Sequence, residues 1–232
     1  AQPVVLTPAD LGLLGQGQVA VSTTATDSSG NAVTSSVGQF LLDTLAPGMP
    51  VLTLAQDSGV KNNDGVTKFG AINVMGLEPG ALAQYSTDNG ANWTGFTGGT
   101  FSLAAGTYAP NTVKVRQSDV AGNQGPVGVL PVSVTVDTTP PAPAVTALGD
   151  GTKTQSEALA GSGVLSVTAE TLSAVAVTFT GTAGSVVKNI IGNNTAQIIT
   201  LLAGDLTVLG QGPVNVSTTA TDAAGNVSAP VS

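Results

Sequence analysis

The sequence predicts an all-β protein made of tandem antiparallel β-sandwich modules, and three observations carry that prediction. First, the chain repeats itself. Residues 1–31 (AQPVVLTPADLGLLGQGQVAVSTTATDSSGN) align without a gap on residues 196–226 (AQIITLLAGDLTVLGQGPVNVSTTATDAAGN), and a weaker copy, NTVKVRQSDVAGN, ends at Asn123. Repetition of this kind marks tandem modules. Second, apolar and polar residues alternate at period two in VAVSTTAT (19–26), TVKVRQS (112–118), VSVTVDT (132–138) and VNVSTTAT (214–221), the pattern of a half-buried strand. Third, Val, Thr, Ala and Gly dominate while aromatics make up only 3% of the chain. Val and Thr are stiff at χ1 and suit a pleated surface.

Two marks set the module length. The loop Asp-x-x-Gly-Asn recurs at Asp27, Asp119 and Asp222, and Asp-Thr-x-x-Pro recurs at Asp43–Pro47 and Asp137–Pro141. Both spacings give a repeat of roughly 90–100 residues, the size of a small β-sandwich. The expected modules are 1–44, the C-terminal half of a first sandwich; 45–138, a complete one; and 139–232, which stops before its own Asp-Thr mark. This register predicts a window taken from a longer array.

In the middle module the strands are expected near residues 50–56 (A), 70–76 (B), 81–86 (C), 100–104 (E), 112–118 (F) and 130–137 (G). One short helical turn is expected in a crossover loop of the repeats, at PADLGLLGQG (8–17) and AGDLTVLGQG (203–212). There Asp10 and Asp205 are placed as caps, with a glycine as terminator.

Composition excludes several function classes. The chain has no cysteine, hence no disulfide and no thiolate metal or redox site, and no histidine, the commonest general base and zinc ligand. No apolar run approaches the ~18–20 residues that span a bilayer. A net charge of −8 with six basic residues disfavours nucleic acid and anionic membranes as partners. Neither a nucleophile–base pair nor a phosphate loop is present, so no enzymatic activity is expected.

The chemistry is expected in the loop carboxylates: Asp27, Asp43, Asp57, Asp64, Asp88, Asp119, Asp137, Asp150 and Asp222. Taken singly, each is as readily a turn former as a ligand. Alternating strand direction changes that balance. It brings Asp43 to the F–G loop of the middle module, with Asp119 and Asn123, and Asp137 to the F–G loop of the third, with Asp222 and Asn226. Asp57, Asp64 and Asp88 fall at the end of the middle module that faces this second junction, and Asp27 and Asn31 form the matching loop of the first module. Each junction is thus expected to gather carboxylates with almost no nearby cation. Clustered anions repel and raise one another's pKa unless a cation joins them. Ca2+, with six to eight oxygen ligands, suits Asp, Asn and carbonyl donors; Mg2+, with its stricter geometry, ranks second. The Pro-bearing linkers add stiffness at Pro47, Pro140 and Pro141. Calcium at the junctions is therefore expected to turn a flexible array into a rod.

The stretch LTPADLGLLGQGQVAVSTTATDSSGNAVTSSVGQFLLDTLAP (6–47) resembles the bacterial Ig-like repeats of giant surface adhesins exported by type I secretion, the RTX-adhesin class. The shared pattern is a D-L-x-x-L-x-x-G turn, an alternating Val/Thr strand, D-x-x-G-N and then D-T-x-x-P. The third module follows it closely. The middle one departs, lacking the turn and carrying YSTDNGANW (85–93). The resemblance implies Greek-key sandwiches of about seven strands and an extracellular, cell-surface or biofilm location. It also implies interdomain calcium on Asp119, Asn123, Asp222, Asn226, Asp43 and Asp137. The function it implies is that of an extender spacer carrying a distal domain that binds a host or surface ligand.

Two other functions are weighed against this. In the first, the middle module is itself a glycan- or protein-binding module that uses Tyr85 and Trp93, although aromatics packed on their own sandwich are the commoner outcome. The array also fits an accessory region of a glycan hydrolase. The Thr-rich strands (Thr23, Thr24, Thr26) read as ordinary solvent-facing positions rather than a flat ligand face. The sequons at Asn92, Asn193, Asn215 and Asn226 read as accidents of Asn- and Ser-rich turns.

Overall fold

Each alternating stretch of the sequence contains a strand, and turn residues keep these strands short. A computed structural model describes residues 3–149 and 151–232; Asp150, assigned above to a loop, lies outside them. The elements in chain order are α1 (Pro8–Leu14), β1 (Gly17–Thr26), β2 (Ala32–Leu42), β3 (Val51–Leu54), β4 (Val66–Thr67), β5 (Ala71–Met75), β6 (Leu82–Ser86), β7 (Thr94–Phe96), β8 (Thr100–Ser102), β9 (Gly106–Tyr108), β10 (Lys114–Ser118), β11 (Gly128–Val129) and β12 (Val134–Val136). They continue as β13 (Ala144–Ala147), α2 (Gln155–Ala158), β14 (Leu165–Thr168), β15 (Ala174–Thr180), β16 (Ser185–Ile191), β17 (Gln197–Ile199), α3 (Ala203–Leu209) and β18 (Asn215–Thr221). The protein is all-β, in small antiparallel sheets of the Ig-like sandwich kind; among the described ladders one, β12 with β4, runs parallel.

By contact the chain forms two compact units that interleave in sequence. One holds residues up to Leu52 with Val74–Gly99 and Val113–Val129; the other holds Thr53–Asn73, Thr100–Thr112 and Leu130–Ser232. The stretch 45–138 therefore contributes to both.

The first unit contains the hairpin β1-β2 and the sheet β11-β10-β6-β7. The hairpin pairs Gly17 with Leu42 at one end and Thr26 with Ala32 at the other, and a bulge beside Val21 leaves Val37 without a partner residue. Several of its apolar side chains, among them Val21, Val33, Val37 and Leu41, are exposed, whereas Leu42 at its end is buried. In the sheet, β10 alternates strictly: Val115 and Gln117 are fully buried while their neighbours face outward.

The second unit contains β4-β12-β9, β13-β14-β17, β16-β15-β18 and most of β3-β5-β8. Sheets β13-β14-β17 and β16-β15-β18 enclose one core. Leu165 and Val167 come from one side; Val175, Val177, Phe179 and Ala220 come from the other; Ile199, Leu201 and Leu209 complete it. Each fully buried Val, Leu or Phe side chain contributes about 1.5–3 kcal/mol, so alternation along β14 and β15 is what holds this sandwich.

The helices differ from expectation in their caps. α1 and α3 are seven residues each, longer than a single turn. Asp10 and Asp205 are not N-caps; they sit at the third helical position and accept the backbone N–H of Thr7 and Leu202. Thr7 is the true N-cap of α1, because Pro8 occupies the first helical position, where its missing N–H costs nothing. Gly15 and Gly210 end the helices at φ 70° and 75°, as expected. α2 was not expected, yet its signal is in the sequence: Thr154 and Glu157 form a reciprocal capping box.

Candidate metal centres at the Asp-x-x-Gly-Asn loops

The three repeats of the loop fold identically. In each, the Asp N–H donates to the Asn carbonyl, the Gly N–H returns to the Asp carbonyl, and the Asn backbone N–H donates to Asp Oδ1. The Asn side chain then donates to Asp Oδ2 at 2.8 Å in Asp27–Asn31, Asp119–Asn123 and Asp222–Asn226 alike. The first role of the Asp/Asn pair is thus to close its own turn. A fourth loop does the same: Asn92 donates its backbone N–H and its amide to the two oxygens of Asp88.

These donors favour the charged carboxylate. The amide of Asn123 is the main cause that lowers the pKa of Asp119, and that of Asn31 does so for Asp27. Asp88, held by the Asn92 backbone, the Asn92 amide and the Ser86 hydroxyl, is lowered to about 2.

The linker residues meet these loops as the alternation of strands requires. Asn123 Nδ2 also donates to the backbone carbonyl of Asp43 at 3.0 Å, and Asn226 Nδ2 to that of Asp137 at 2.8 Å. The first of these joints lies wholly in the first unit and the second wholly in the second. The linker carboxylates turn back on their own chain: Asp43 Oδ1 accepts the Leu45 N–H and Asp137 Oδ1 the Thr139 N–H. The buried groups are those of the loops, with Asp119 at 7%, Asp222 at 2% and Asn226 at 8% exposure.

The remaining candidates separate. Asp27 and Asn31 sit at the Thr26–Ala32 end of the hairpin, the opposite end from Asp43. Asp88 belongs to the first unit, whereas Asp137 and Asp222 belong to the second. Asp64 accepts the Val66 N–H, and Asp57 Oδ2 accepts the Gly65 N–H. Asp57 Oδ1 differs from the rest: it is buried and has no hydrogen-bond partner. Among the described residues no three carboxylates are gathered closely enough to hold a metal. The donor chemistry nevertheless suits a hard cation, because an orphaned carboxylate oxygen, carbonyls and the spare lone pairs of the loop Asp residues are all oxygen donors.

Three residues that sequence reasoning did not single out organise the joints. Gln117 is fully buried; its Nε2 donates to the carbonyls of Gly48 (2.8 Å) and Gly76 (2.9 Å), and its Oε1 accepts the Glu78 N–H. It thereby fixes the first linker to the sheet. The signal was present, since Gln117 continues the inward register of Val113 and Val115 in TVKVRQS. At the second joint Ser58 Oγ donates to the Ala224 carbonyl and Lys68 Nζ to the Gly225 carbonyl. Lys68 is thus a cation at a junction where almost none was expected.

The two aromatics serve different contacts. Tyr85 pairs in register with the buried Val115 and meets Phe96 edge-on at 6.0 Å. Trp93 has its ring face under the Arg116 guanidinium, 4.2 Å from the ring centroid. That face is therefore already stacked.

No protein-family profile matches the chain, and no curated protein does. Among solved structures, it is similar to the Ca2+-stabilized adhesin that helps an Antarctic bacterium reach out and bind ice. The identity is 19% and the TM-score 0.37, over 96% of this chain and 57% of that one. It is also similar to a structure concerned with host cell surface retention of a 1.5-MDa bacterial ice-binding adhesin (18% identity, TM-score 0.34, 95% of this chain, 74% of that one). A third match is to the FN1–FN3 domains of chicken CNTN1 (14% identity, TM-score 0.32, 90% and 74%). The chain thus spans little more than half of the first of these proteins, and all three superpositions are loose.

Proposed function

We propose that this chain is a piece of the extender region of a bacterial surface adhesin. On this reading it is a non-enzymatic spacer of Ig-like modules, 1–44, 45–138 and 139–232, that projects a distal adhesive domain from the cell surface. The observation that supports it is the repeated joint: Asn123 on Asp43 and Asn226 on Asp137 bind a Pro-bearing linker to a loop of the following module by the same bond. A chain that builds the same joint twice controls the approach of successive modules, which is what a spacer needs.

Calcium is the second part of the proposal. We assign it to the joints, on Asp43, Asp119 and the amide oxygen of Asn123 at one, and on Asp57, Asp222 and the amide oxygen of Asn226 at the other, with backbone carbonyls and water completing its shell, because no three carboxylates come together among the described residues. The unpartnered Oδ1 of Asp57 is the donor that most needs a cation. Bound there, the ion would neutralise like charges, and the chain's own contribution is to hold these oxygens on short, internally bonded loops.

Small-angle scattering in millimolar Ca2+ and in EGTA, with melting curves in the same buffers, tests this. The expected result is a longer maximum dimension and a higher melting temperature with calcium. If neither quantity changes, the calcium part of the proposal fails.

A further inference from the structure

The second joint carries contacts that no ion is needed to make. The loop 57–68 and the loop 222–226 lie in one compact unit and touch through backbone as well as side chains. Ser58, 9% exposed, donates to the Ala224 carbonyl at 2.6 Å and accepts the Lys68 N–H at 2.9 Å. Lys68 Nζ donates to the Gly225 carbonyl at 2.9 Å. The two loops approach so closely that side chains are excluded at their crossing. A Cβ on Gly59 would overlap the Ala223 carbonyl oxygen, and one on Gly225 would stand 3.0 Å from Gly59 N. Both glycines also have positive φ, 101° and 88°. Beneath them, Asp137 N–H donates to the Thr67 carbonyl at 2.9 Å, and Asn226 holds the Asp137 carbonyl. The linker is thereby tied to both loops.

We infer that the Ser58–Lys68 loop and the Ala223–Gly225 turn form a metal-independent clasp, so that the joint between residues 45–138 and 139–232 keeps its alignment when calcium is removed. The inference rests on the module reading above but not on its calcium part. Lys68 supplies the reason in charge. Its ammonium is a tethered cation bound to the Gly225 carbonyl, on the turn that also carries Asp222, so a positive charge stands at this turn without an added ion. The glycine crossing supplies the reason in shape, because two backbones in direct contact leave no slack for the linker to swing. A calcium ion on Asp57 adds stability to this joint without setting its angle. Calcium dependence of the chain's stiffness then belongs to the first joint, where Asn123 and Asp43 meet.

Double electron–electron resonance on the whole chain tests this. The absence of native cysteine makes introduced labels specific. One label pair, Ser102→Cys with Val187→Cys, spans the second joint; a separate pair, Ser36→Cys with Thr97→Cys, spans the first. The expected result in EGTA is a single narrow distance peak for the second pair, unchanged on adding Ca2+, and loss of that peak when Ser58→Ala and Lys68→Met are introduced together. Should the double variant fail to fold by circular dichroism, Lys68→Met alone carries the same test, since it keeps the Ser58 bonds. A wild-type peak that is lost in EGTA and regained with Ca2+ overturns the clasp and leaves the calcium proposal standing. A peak that stays narrow in the folded variants also overturns it. The first pair reports separately on the calcium proposal, which fails if that distance ignores Ca2+.

Discussion

The amide nitrogen of Asn226 lies 2.8 Å from the backbone carbonyl oxygen of Asp137 and 2.8 Å from Oδ2 of Asp222, so one NH2 group closes a turn with one proton and holds a linker with the other. Asn123 does the same for Asp43 and Asp119. Asn31 makes the turn bond to Asp27, and its loop is exposed. This difference gives an internal control. Asn226→Ala leaves a buried carboxylate oxygen and a linker carbonyl unpaired, and is expected to lower stability by about 1–3 kcal/mol. Asn31→Ala leaves only solvated groups and is expected to cost about 1 kcal/mol or less. Urea denaturation of the two variants measures both; equal costs would show that the linker bond contributes nothing.

Gln117 tests the first joint in the same way. Its side chain serves two carbonyls and one N–H inside the sheet's buried face. Gln117→Leu keeps the volume and removes all three partners. Each orphaned buried group costs about 1–3 kcal/mol before water relieves it, so a total loss of about 2–4 kcal/mol is expected. Amide exchange at Gly48 and Glu78 should accelerate beyond the loss in global stability. If stability is unchanged, the hub is not what fixes the linker.

These two residues show what was legible in the sequence. The strands were, because alternation states directly which side chains are buried: Val115 on β10 and Val175 on β15 follow it without exception. The pairing of Asp43 with Asp119 and of Asp137 with Asp222 was also legible, because strand direction alone decides which loops meet. The donors and acceptors at those meetings were not. Asn was read for its amide oxygen alone, and the turn-closing role of its NH2, the same in all three loops, was not foreseen. Lys68 and Ser58 were invisible because contacts across more than 150 residues leave no local signature; their partners lie 157 and 166 positions away. Gln117 was visible as a polar residue in an apolar register and was passed over. The hairpin of Trp93 was legible as a hairpin, but Arg116, a residue on a different strand, supplies its stacking partner.

Acid stability follows from the loop bonds. Asp88 is lowered to about 2 by the N–H donors of Asn92 and the Ser86 hydroxyl, while an unfolded Asp titrates near 4. Asp27, Asp119, Asp10 and Asp205 are lowered in the same direction by Asn31, Asn123, Thr7 and Lys188. A depressed folded pKa means that the unfolded state binds more protons in this window, so the contribution is complete above about pH 4 and is lost as pH falls toward 2. Unfolding free energy is therefore expected to be flat with respect to these groups from neutrality to about pH 5 and to decline below about pH 4. A carbon-13 NMR titration should place the Asp88 carboxyl midpoint near 2; a midpoint near 4 would show that Asn92 does not hold the carboxylate in solution.

The repeat itself offers a comparison of one side chain in two settings. Leu14 and Leu209 close the same helix in the two copies of the repeat, PADLGLLG and AGDLTVLG, yet Leu14 is 42% exposed and Leu209 only 1%. Leu209 fills the core between β13-β14-β17 and β16-β15-β18, and the hairpin β1-β2 has no such pair of sheets around it among the described residues. Each variant is compared with its own parent, so the different caps of the two helices cancel, and the main difference that remains is burial with its cavity term. Leu209→Ala is expected to cost about 2–5 kcal/mol, the range for a leucine removed from a packed core. Leu14→Ala at a half-exposed position is expected to cost under about 1 kcal/mol, and its high alanine helix propensity offsets part of that. Thermal and urea unfolding of the two variants under one buffer condition decide the matter. A Leu14→Ala loss as large as that of Leu209→Ala would mean that the first hairpin is covered in solution by apolar surface, and that the burial seen at Leu209 is reproduced at Leu14.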